Sequence, residues 1–104
     1  MSKPTDAEIK EFWEYFIPER IEANRIVEGL PEIPVTLDNL FKYAVPKLIG
    51  DYKYTLSMRT DVDFNTRENL YIFRLSSDPL VIDAEVEDKD PALALFRAIQ
   101  EVIR

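Results

Sequence analysis

The chain contains neither cysteine nor histidine. Without cysteine there are no disulfides, no thiol nucleophiles and no thiolate metal sites. Without histidine it loses the commonest general base, the usual partner of a nucleophilic serine and the commonest nitrogen ligand for zinc. Glycine occurs only at Gly29 and Gly50, so a glycine-rich phosphate loop is ruled out. Positive charge is also scarce: 13 Lys and Arg stand against 20 Asp and Glu, a net charge of −7. That balance argues against binding nucleic acid, where phosphates must be neutralised, and against anionic membrane surfaces. It suits solubility, a basic partner protein or mimicry of a polyanion, and solubility is the plainest of the three. No apolar run approaches the roughly 20 residues that span a bilayer. The opening Met1-Ser2-Lys3-Pro4-Thr5-Asp6 is not followed by the apolar stretch of a signal peptide, so a cytoplasmic location is expected.

The 104 residues suffice for one domain, 1–104, with a core of its own. Thr5-Asp6-Ala7-Glu8 reads as a capping box. Ile9, Phe12, Trp13, Phe16 and Ile17 then recur at helical spacing, and Pro18 ends the helix. Residues 18–35 carry Pro18, Gly29, Pro31 and Pro34 and are expected to form an irregular excursion with one short strand. Thr36 is the expected cap of a second helix with Leu37, Leu40, Phe41, Ala44 and Leu48 on its apolar side. Pro46 predicts that this helix either stops near Val45 or kinks and continues for a turn before Gly50.

Three strands are expected next. Tyr52–Arg59 alternates apolar with polar, and Thr60–Glu68 reads as a polar loop. Leu70–Leu75 is apolar at nearly every position, as a central strand would be. After the Ser76–Pro79 turn, Leu80–Val86 alternates again. A tight turn would set Leu75 opposite Leu80, with Tyr71, Phe73, Leu80 and Ile82 on one apolar face. Asp90 and Pro91 open the last helix, whose apolar side is Ala92, Leu95, Phe96, Ile99, Val102 and Ile103. The predicted fold class is α+β: a three-stranded antiparallel meander with about three helices, in a three-layer α/β/α sandwich if the second sheet face is also covered.

Two segments carry a family resemblance. Leu37-Asp38-Asn39-Leu40-Phe41-Lys42-Tyr43-Ala44-Val45-Pro46-Lys47-Leu48 and Asp90-Pro91-Ala92-Leu93-Ala94-Leu95-Phe96-Arg97-Ala98-Ile99 follow the aromatic helix Ile9–Phe16 in that order. Together they resemble the phage ABA-sandwich domain proteins. The resemblance implies an α/β/α sandwich and an origin in a phage or a prophage of a bacterial host. It implies no activity and assigns no catalytic residue.

The residues offer few chemical constellations. Asp61-Val62-Asp63-Phe64-Asn65 begins like a calcium loop, but Thr66 stands where glycine is required and Ile72 where the bidentate Glu belongs, so a polar hairpin loop is the better reading. Asp83, Glu85 and Glu87 alternate along a strand about 6.6 Å apart, within range of paired-carboxylate chemistry. A solvated strand face paired with Arg74 is the simpler reading. Arg74, Asp83, Glu85 and Glu87 are therefore the candidate interaction surface, with no catalytic residue, metal site or cofactor expected. The function expected is a non-enzymatic protein–protein interaction module whose partner is a host or phage protein. A small-molecule-binding or carboxylate-based enzyme and a self-associating structural protein are the alternatives. The chain itself is expected to be a monomer or a weak homo-oligomer.

Overall fold

The computed structural model describes residues 3–17 and 33–103. It is an α+β fold with the predicted helices and a three-stranded antiparallel sheet. Helix α1 is Asp6–Phe16. The second helical segment, α2, has three pieces: α-helical Leu37–Asn39, π-helical Leu40–Ala44 and α-helical Val45–Gly50. Strands β1 (Thr55–Val62), β2 (Asn69–Ser76) and β3 (Ala84–Asp88) follow, and α3 is Pro91–Ile103. The expected excursion falls mostly on 18–32, outside the described residues. Among the described residues no helix is long and apolar enough to cross a membrane.

The helix starts follow their capping residues. The Thr5 hydroxyl accepts the Glu8 N–H at 3.2 Å, and the Glu8 carboxylate accepts the Thr5 N–H at 3.2 Å. These reciprocal bonds satisfy donors that the first turn leaves open. The Thr36 hydroxyl accepts the Asn39 N–H, and the Asp90 carboxylate accepts the Ala92 N–H at 2.9 Å. At the other end of α1, the Lys47 ammonium donates to the Phe16 carbonyl, a cation at the negative end of a helix.

Pro46 does not end α2, which continues through Val45–Gly50. It has no N–H to offer the Lys42 carbonyl, and its ring would crowd the preceding turn of a regular helix. The chain widens that turn instead, and the Val45 N–H reaches back to the Leu40 carbonyl. The extra residue in the turn rotates the apolar stripe. Leu40, Ala44, Val45 and Leu48 are buried, while Phe41, expected on the inner side, is turned out.

The strands lie in the predicted meander, with β2 in the centre. Their ends differ from expectation. β1 starts at Thr55 and runs through Val62, so the first third of the expected Thr60–Glu68 loop is strand, and Tyr52 precedes it as an exposed residue. β3 starts at Ala84, and Leu75 pairs with Ala84 rather than Leu80. The shift is four residues, an even number, so Ala84 and Val86 keep their expected face, whereas Leu80 and Ile82, expected there too, fall before the strand and are exposed. Ala84 and Val86 share the Phe73 side.

One core cluster joins all three helices to that side of the sheet. Phe73, Leu75, Ala84 and Val86 meet α3, which packs on β2 and β3. Phe12 and Phe96 then join α1 to α3 with ring centres 4.6 Å apart. The opposite face is half polar, as expected, and Ile72 there is only 4% exposed. Because α3 lies over β2 and β3, β1 is left in solvent along most of its length.

Phe96 is fully buried between α1 and the rest of the core. Replacing it with Ala is expected to lower the unfolding free energy by about 3–5 kcal/mol. Urea denaturation followed by circular dichroism measures the loss. A change below about 1 kcal/mol, the range of surface substitutions, would contradict this placement.

Candidate functional site

The four candidate residues lie along one side of β2 and β3 but are not equivalent. Arg74 and Glu85 are direct cross-strand neighbours. The Arg74 Nε and Nη2 both donate to Glu85 Oε2, at 2.8 and 2.6 Å. Both side chains are more than a third exposed, so the pair contributes at most about 1 kcal/mol. Glu87 follows on the same face, opposite Ile72, and is exposed. Asp83 precedes the strand. Its carboxylate accepts the Ser77 N–H at 2.6 Å, and its own N–H donates to the Leu75 carbonyl. It closes a loop rather than presenting a free charge.

That loop, 77–83, holds what the alternation pattern concealed. Leu80, Val81 and Ile82 look like strand residues in sequence. In the structure Leu80 is 94% exposed, and Val81 and Ile82 are half-exposed. The loop is well braced. Asp78 accepts the Leu80 N–H with its carboxylate at 2.9 Å and the Val81 N–H with its carbonyl at 3.0 Å. The bracketing Asp78-Pro79 and Asp83 were the available signal, because a carboxylate that bonds the backbone two residues on makes a turn. The result is an apolar tip beside acidic Asp78, Asp83, Glu85 and Glu87.

A second feature is a groove of about 280 Å³ between α1 and the end of α3, lined by Glu8, Glu11, Phe12, Tyr15, Gln100 and Ile103. Glu8 accepts from Gln100 Nε2 at 3.0 Å and from Arg97 Nη1 at 2.5 Å. The hydrogen bonds from Gln100, Arg97 and the Thr5 N–H pull the Glu8 carboxyl down from its ordinary 4.5 to about 2. A general acid at neutral pH needs the opposite shift. The hydrogen bond with Tyr52, then burial, raises the Tyr15 phenol, so it also stays in one protonation state near neutrality. Glu8 and Arg97 are 89 positions apart, and no sequence pattern links them.

In the β1–β2 hairpin, Asp61 and Asp63 turn their carboxylates onto backbone N–H groups, of Val62 at 2.8 Å and Asn65 at 2.9 Å. Phe64 projects from the tip at 90% exposure. Among the described residues no group of three or more acidic side chains is placed to hold a metal ion. The Lys89–Glu68 ion pair ties the hairpin to the β3–α3 connection and raises the Lys89 ammonium above its ordinary value.

The depressed Glu8 carboxyl makes stability depend on pH with a definite sign. The ionised form favours the fold, so its contribution is complete above about pH 4.5 and disappears as the pH falls towards 2. Glu8→Gln lacks this contribution. The wild-type chain is expected to unfold at higher urea than the variant at pH 6, with the gap closing by pH 2. A gap that stays constant across this range would contradict the assignment.

No family model, no curated protein and no solved structure matches the chain, so the chemistry of these surfaces is read from their own residues.

Proposed function

We propose that the chain is a small phage or prophage protein that works in the cytoplasm of a bacterial host as a non-catalytic docking module. Its origin rests on the resemblance of the Leu37–Leu48 and Asp90–Ile99 segments to phage ABA-sandwich proteins. The docking role rests on one observation: a hydrogen-bonded loop that holds Leu80 almost wholly in solvent, with Val81 and Ile82 beside it. A contiguous apolar tip in water is unfavourable unless it is used, and anchors of this kind fill pockets on partner proteins. The acids around it define the partner's chemistry. Asp78 and Glu87 call for a basic rim around an apolar pocket, which speeds encounter and selects orientation. In the α1–α3 groove Glu8 and Tyr15 are both moved away from neutrality, which favours docking over acid–base catalysis.

Affinity capture of the tagged chain from bacterial lysate, compared with a Leu80→Asp variant, tests this reading. The substituted side chain is exposed, so the variant should keep wild-type stability within about 0.5 kcal/mol. The wild-type chain is expected to retain one dominant protein, the variant to lose it, and added salt to weaken the capture. Identical capture by both chains, or none by either, would overturn the proposal.

A further inference from the structure

The outer edge of the sheet carries its own complement. Among the described residues β1 is an edge strand, eight residues long, with no proline, no lysine and no break in its pairing with β2. These are the usual devices that keep edges apart. The opposite edge, β3, is only five residues long and carries Glu85, Glu87 and Asp88. The β1 side chains on the Phe73 face are also uncovered, with Met58 56% and Val62 44% exposed.

The backbone direction of this edge follows from the hairpin. The Asp63 N–H donates to the Glu68 carbonyl at 2.9 Å, so these two residues form a hydrogen-bonded pair. The register is unbroken from Val62↔Asn69 to Thr55↔Ser76. In an antiparallel ladder such pairs alternate, so the odd residues of β1 bond to β2. Leu56, Met58, Thr60 and Val62 aim their N–H and C=O groups at the open edge. In keeping with this, the Val62 N–H is held by the Asp61 carboxylate and not by β2.

We propose that two copies of the chain pair antiparallel through β1, with Thr60 opposite Thr60 on a two-fold axis. In this register Met58 meets Val62 on one face, and Arg59 meets Asp61 on the other, each contact occurring twice. Phe64 of each hairpin tip then extends towards Leu56 of the other copy. Moving the centre to Arg59 would set two Arg59 side chains against each other, and moving it to Asp61 would oppose two carboxylates. The alternation of charge therefore selects Thr60. The pairing satisfies the outward backbone groups, joins the two sheets into one of six strands and closes the assembly on itself, since a two-fold contact leaves no further β1 edge. Asp61 releases the Val62 N–H to the Met58 carbonyl across the axis and takes up Arg59. This surface is distinct from the Leu80 tip, so the assembly stands or falls independently of the docking proposal.

Light scattering and cysteine cross-linking test the register together. The wild-type chain is expected to rise with concentration to twice its 12.2 kDa mass. Arg59→Glu and Asp61→Arg should each weaken dimerisation roughly tenfold, because every change spoils two symmetric pairs, and the double variant should regain it. The chain has no cysteine, so one introduced thiol reports cleanly. Thr60→Cys should form a disulfide-linked dimer on mild oxidation, since opposed Cα atoms about 5.5 Å apart lie within bridging range. Met58→Cys should not, because the two Met58 positions are four residues apart along the strand, about 13 Å. A single mass at every concentration, failure of the double variant to recover, or equal cross-linking at both positions would overturn the proposal.

Discussion

Helix α3 has to bury more than one of its sides, and the other elements are arranged to meet that requirement. Leu93, Ala94, Leu95, Phe96, Ala98 and Ile99 are all buried, within a single stretch of seven residues. A helix with one apolar stripe needs one partner. This one needs the sheet on one side and α1 with α2 on others. Small residues at Ala94 and Ala98 leave room for close approach, and the larger Phe96 reaches Phe12. Around the apolar contacts, polar ties set the angles. Glu8 with Arg97 and Gln100 joins α1 to α3, and Lys47 with the Phe16 carbonyl joins α2 to α1.

The sheet bears the consequence of that arrangement. A helix is narrower than three strands, and α3 lies over β2 and β3. The outer strand is left without a helical cover beyond Leu56, which is why the alternating segment Ser57-Met58-Arg59-Thr60 is not half-buried. Exposure of Met58 and Val62 is thus a property of the packing, whereas Phe64 is exposed because it sits at the hairpin tip. The loop at the other end of β2 is exposed for a different reason. Asp78 and Asp83 capture backbone N–H groups and hold Leu80-Val81-Ile82 clear of the core.

In the proposed reading these two exposed features, and not the ionisable groups, carry the function. Arg74 and Glu85 neutralise each other, Asp83 is engaged in its loop, and Glu8 is held as a carboxylate far below neutrality. Such groups position backbone and helices. The apolar side chains in solvent have no such internal role, and their placement suits contact with other protein surfaces.

Much of this was legible in the linear chain. The capping signals at Thr5, Thr36 and Asp90, and the doubly apolar β2, depend on neighbours a few residues away, so the local pattern determined the helix starts, the strand count and the central strand. The facing of Tyr71, Phe73, Ala84 and Val86 was also determined, because a period of two survives an even shift in register. Tertiary structure decided the rest. The pairing of Leu75 with Ala84, the wide turn that admits Pro46 and the Glu8–Arg97 contact all depend on what packs across a gap in sequence. Alternation alone cannot distinguish a strand that meets a helix from one that meets water. Only the seat of α3 on β2 and β3 left β1 open, and only the two aspartates turned an apparent strand into an exposed apolar tip.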